Sequence, residues 1–204
     1  MLAGQIELEL GHFVDAEKDL DRALGLAQSI SASNFEAQIL TSLARLSAAQ
    51  KRTRDARDFA QRALGVVREV GMTFVGPAAL AVWASVNDDA QECRKAFMEA
   101  EQILDSGCVA HNHIWFARTA IDDALATGEW DKAERYATRL QDYTRKQPLA
   151  WPDFIIARGR ALAAWGRGTR TEDLALEIKR LHQIAMRNGM KLAAHGLEEV
   201  SAAS

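Results

Sequence analysis

The 204-residue chain is short of proline, cysteine and β-branched runs, and each shortage narrows the fold. Three prolines, at 77, 148 and 152, leave long stretches in which helices can run unbroken. Ala, Leu, Arg and Glu are abundant, all good helix formers. An all-α chain is predicted. Two cysteines, Cys93 and Cys108, are too few for a disulfide framework, and nothing in the sequence suggests export. The longest apolar run, Val75 to Val86, includes Gly76, Pro77 and Ser85 and is too short to span a bilayer. The N-terminus lacks a basic segment ahead of an apolar one. A cytoplasmic chain without a membrane segment is expected. The formal net charge is only −3, which leaves no electrostatic footprint for nucleic acid.

What is present is a repeat. Ala16, Leu20, Ala23 and Leu24 are spaced to lie on one helical face. The pattern returns at Ala56, Ala60, Ala63 and Leu64, and again at Ala96, Ala100, Ile103 and Leu104. A fourth copy has Ala133, Ala137 and Leu140, with Gln141 breaking the last apolar place. A degenerate fifth has Leu174, Ile178 and Leu181. A partner helix precedes each copy, within Gly4–Leu10, Asn34–Gln50, Val75–Val86, His111–Thr127 and Asp153–Trp165. Helix pairs at this period are the mark of a solenoid of hairpins, each burying its apolar face against its neighbours. The expected architecture is one domain over 1–204, an α-α superhelix of about five helical hairpins (about 1–33, 34–73, 74–109, 110–147 and 148–204). A short final helix, Met190–Val200, and a frayed tail, Ser201–Ser204, complete it.

The copies resemble the tetratricopeptide (TPR) family. Gly4, Gly11-His12-Phe13, Ala16, Leu20 and Ala23 match its consensus in the first copy, and Gly128-Glu129-Trp130, Ala133 and Ala137 in the fourth. Copies two, three and five depart at the turn, where Lys51-Arg52-Thr53 has neither glycine nor aromatic, and the period is longer than usual. The units are therefore TPR-like, with long second helices. The resemblance places Trp130 at the turn position that packs between neighbouring helices.

A second likeness covers nearly the whole chain. Gln147–Leu162, Gly71–Pro77 and His111–Phe116 resemble blocks in the C-terminal helical-repeat tails of bacterial adenylate/guanylate cyclase–ATPase signalling proteins. That resemblance implies a cyclase and an ATPase domain upstream. The chain also opens half a hairpin in, as the C-terminal part of something longer would. No phosphate-binding Gly-x-x-x-x-Gly-Lys-Ser/Thr loop and no cyclase aspartates can be placed within it.

Candidate chemistry is sparse. Cys108, His111 and His113 form the one metal-like cluster, but His111 and His113 diverge on a continuing helix and no second cluster supplies the other ligands. His111 or Asn112 is expected to cap a helix start instead. Asp122 and Asp123 point about 100° apart on a helix and read as a solvated face rather than a catalytic pair. Lys51-Arg52-Thr53-Arg54 reads as a solvated turn. Cys and Ser have no His in recognisable nucleophile spacing. No catalytic residue, cofactor or metal ligand is predicted, and the chain is not expected to be an enzyme.

If the units resemble TPRs, their first helices line a concave groove. The repeat register puts Gln38, Thr41 and Arg45 there in copy two, Ser85 in copy three, Trp115, Arg118 and Asp122 in copy four, and Asp153, Ile156 and Arg160 in copy five. The arginines would hold a carboxylate-bearing peptide by forked hydrogen bonds. The expected function is a protein-interaction or regulatory scaffold in signal transduction. Its partner would be a protein or peptide, upstream domains of the same polypeptide included, with a homodimer through the uncapped first hairpin as a further option. The alternative is a helical domain that senses a small effector through its tryptophan-containing groove.

Overall fold

The computed structural model describes residues 1–198 and residue 200, so the expected frayed tail, 201–204, lies outside the described residues. Among the described residues the chain is all-α, with eleven helices and no strand. They group into two compact units, Met1–Phe116 and Ala117–Ser204. The division falls inside the fourth expected hairpin.

The first unit holds α1 (Leu2–Glu9), α2 (Phe13–Ser29), α3 (Ser33–Ala49), α4 (Thr53–Val70), α5 (Gly76–Val86), α6 (Ala90–Ser106) and the start of α7 (His111–Ala126). Each of α1 to α5 packs on the next, and α3 also packs on α5. Of the first helices of the pairs, α3 and α5 form an inner layer. α3 buries ten residues and α5 nine, because each is covered on more than one side. The second helices bury a single face, in α4 the repeat residues Ala56, Ala60, Ala63 and Leu64 with Val67. Their small side chains let α3, α4 and α5 close on a shared cluster of Ala44, Ala56, Ala60, Val82 and Val86, edged by Phe59 and Trp83.

The second unit holds the rest of α7, then α8 (Trp130–Thr144), α9 (Ala150–Gly166), α10 (Glu172–Arg187) and α11 (Lys191–Ala194). Ala124, Ala133 and Ala163 bring α7, α8 and α9 together, with Leu125 and Trp130 against them. The expected final helix is interrupted. α11 ends at Ala194, and Gly196 takes φ +84°, a left-handed conformation that a helix cannot continue through.

The turns repeat as faithfully as the helices. Gly11, Ser31, Lys51, Gly128 and Gly189 all take φ between 55° and 73°. The residue after each, His12, Ala32, Arg52, Glu129 and Met190, sits near φ −85°, ψ 65° (Met190 at −76°, 62°). Its N–H donates to the carbonyl five residues back at 2.8–2.9 Å. This is a Schellman closure, which satisfies the orphan carbonyls of one helix and starts the next within two residues. Lys51 and Ser31 therefore do the work of glycine without being glycine. The turn at Lys51-Arg52 is not simply solvated either, since Arg52 donates to Glu17 at 2.6 Å and also to Gln50.

Side-chain bridges carry the same period. Gln5 bonds Ser42, Arg45 bonds Glu9, Asn112 bonds the Phe74 carbonyl, Arg158 bonds Asp122 and Arg167 bonds Asp131. With Arg52–Glu17 and Asn112–Thr73, these partners lie 35 to 39 residues apart, about one repeat.

Candidate functional site

The second unit carries an open groove of about 540 Å³ between α8, α9 and α10, lined by Gln141, Asp153, Ile156, Ala157, Arg160, Ala161, Leu174 and Glu177. α9 supplies its floor. Ile156, Ala157 and Ala161 lie along one side of that helix, and Asp153 and Arg160 fall on the same side two turns apart. Arg160 is fixed against α8: its Nε donates to Glu134 at 2.8 Å, and its Nη2 to Thr138 at 3.1 Å and Gln141 at 3.0 Å. Across the groove both Glu177 oxygens accept from Arg180 at 2.7 Å, which holds that carboxyl below its usual range.

Two departures from the repeat open this groove. The first three copies have leucine where the fourth has Gln141, and Gln141 is exposed and reaches Arg160. Copies one to four have a buried alanine where the fifth has Leu174, which is half-buried and faces the groove. Gln141 was visible in sequence as a broken register. Leu174 and Glu177 were missed, because a degenerate copy gives no sign of which side its helix leaves open.

The other residues expected in a groove are placed differently. Gln38 and Thr41 are buried, and the Thr41 hydroxyl donates to the Ala37 carbonyl at 2.8 Å. Arg45 pairs with Glu9 at 2.8 Å. Ser85 is exposed, its hydroxyl donating to Val82 O at 2.8 Å. Trp115 is half-buried and packs on His111, ring centroids 5.0 Å apart. Only Asp153, Ile156 and Arg160 of the predicted set meet in the groove described above.

Arg118 and Asp122 belong to a separate cluster within the second unit. Arg158, on α9, donates to Asp122 at 2.6 Å and to the His195 carbonyl at 2.8 Å. Arg118 lies 3.7 Å from the other Asp122 oxygen and stacks over Trp151, 5.4 Å from the ring centroid. Asp122 and Asp123 do diverge, as adjacent helical residues must, but they do not form a solvated face. Asp123 turns inward to Lys132, 3.6 Å away, and burial pushes its carboxyl above the usual range.

The Cys108–His113 region builds a joint in the first unit. Cys108 Sγ and His113 Nε2 are 4.0 Å apart, while His111 turns away to stack edge-on against Phe74. Asn112, fully buried, donates to the carbonyls of Thr73, Phe74 and Val109 and so ties the start of α7 to the loop before α5. Burial lowers the His111 pKa below 6.5, partly offset by a hydrogen bond to the Phe74 backbone. The folded state therefore favours neutral His111. Its contribution to stability is present above pH 6.5 and is lost as the pH falls through the lower folded value. Denaturation at pH 7.5 and pH 5 should show a smaller loss of midpoint for His111→Phe than for the parent chain; equal losses would refute the assignment.

No family model matches the chain, and neither a curated protein nor a solved structure is found similar to it. No described helix is long and apolar enough to cross a membrane.

Proposed function

We propose that this chain is a non-catalytic protein-interaction module of TPR-like hairpins, and that it binds a protein segment in the α8–α9–α10 groove. The groove itself carries the reading: an apolar floor edged by fixed charged groups, open along one side. Such a surface recognises by shape and charge. Enclosed small-molecule sites bury most of their ligand, so the open form favours a polypeptide over a small effector, the alternative occupant. The likeness to the repeat tails of cyclase–ATPase signalling proteins supports a regulatory role toward domains of the same polypeptide.

A photo-crosslinking amino acid at position 157, in the groove floor, tests this against the same group at the exposed Arg94. A protein crosslinked in the host cell from position 157 but not from 94 is the expected result. No crosslink, or the same set from both positions, would refute it.

A further inference from the structure

We infer that the groove's occupant is an extended peptide segment in which a cationic side chain and a carboxylate bracket two apolar residues. The inference rests on the proposed role of the groove and deepens it. Three charged groups line the groove, and they differ in what they still have to offer. Glu177 is committed, both oxygens taken by Arg180. The Asp153 carboxylate is exposed and makes no hydrogen bond or ion pair among the described residues. Arg160 is held in place through Nε and Nη2, which leaves Nη1 to a further acceptor. One end of the groove thus asks for a cation and the other for an anion, with Ile156, Ala157, Ala161 and Leu174 providing apolar surface.

The spacing sets the length. Asp153 and Arg160 are seven residues apart on α9, a rise of about 10 Å. An extended peptide in the polyproline II form advances about 3.1 Å per residue and turns once every three, so two charged groups three residues apart lie on one face about 9 Å apart. A helix would need its charged groups seven residues apart to span the same distance, and the probes below separate the two forms.

The probe is a fluorescein-labelled peptide, end-capped, of sequence Gly-Lys-Leu-Leu-Glu-Gly, titrated with the whole chain at low salt and followed by anisotropy. Saturable binding is expected. Replacing the probe lysine by norleucine, or Asp153 by Asn, should each weaken it about three- to fivefold, the scale of a partly exposed ion pair. The two changes together should weaken it no further than either alone. Arg160→Gln and the probe's Glu→Gln should behave as a second such pair. The Asp153 carboxylate makes no hydrogen bond or ion pair among the described residues, so Asp153→Asn removes the charge at the small cost of one favourable acid in the first turn of α9.

Absence of saturable binding overturns the inference. So does binding that ignores both charges yet disappears with Ile156→Arg, which would mark a purely apolar ligand, and so does tighter binding of a helical probe with its charges seven residues apart. If the position-157 crosslink forms while the charge variants change nothing, the bracketed peptide is wrong and the interaction module stands. If no crosslink forms either, both fall.

Discussion

Asp122→Ala is expected to destabilise the second unit by about 3 kcal/mol, whereas Arg158→Met, at the other end of the same bridge, should change stability by less than about 1 kcal/mol. The asymmetry comes from burial. The Arg158 side chain is 8% exposed and that of Asp122 is 40% exposed. Removing the aspartate leaves a guanidinium inside the protein with a single backbone carbonyl, that of His195, as a partner. It also takes the carboxylate from Arg118, 3.7 Å away. Removing the arginine instead leaves a carboxylate that water already reaches, and methionine keeps most of the buried stem packed. Urea denaturation of both variants at neutral pH measures the difference. Equal losses would mean that the bridge acts as a symmetric surface pair.

Gly166→Ala should cost about 2–3 kcal/mol through overpacking, while the same change at Gly25 or Gly65 should stabilise by about 0.5–1 kcal/mol. A Cβ at Gly166 would fall 2.6 Å from two atoms of the Trp130 ring and 2.7 Å from a third. An aromatic ring cannot yield there as a flexible chain end would. Gly159 is a second such place, its Cβ 2.8 Å from Ile121 Cγ2 on a branched, stiff side chain. Around Gly25 and Gly65 nothing lies within 4 Å, so alanine there only improves helix propensity. Denaturation midpoints should therefore move in opposite directions for one chemical change. Trp130→Leu added to Gly166→Ala should recover part of the loss; failure to recover would place the strain elsewhere.

The helix pairs could be read from the sequence because their information is local. Ala16, Ala56, Ala96 and Ala133 recur at the period of the fold and are all buried, as close helix packing requires. Gly11 and Gly128 announced their turns because glycine is the usual left-handed residue. Lys51 was placed in a turn only by the period of the repeat, and Ser31 was not placed at all, since their backbone is forced there by the same Schellman bonds without a residue that prefers it. The groove was half legible. Asp153, Ile156 and Arg160 follow from the register of one helix, but Leu174 and Glu177 reach it from α10, and only packing decides that. Arg158 was unreadable for the same reason: a charged residue beside Ala157 looks solvated until α7 and the chain after α11 converge on it.

The bridges that span 35 to 39 residues also bear on how this fold can form. Each closes a loop of about one repeat, so the entropy lost in closing any one of them is much the same as for the next. No hairpin has to wait for a distant segment before its own bridge can form. Folding can therefore begin at any helix pair and spread to its neighbours.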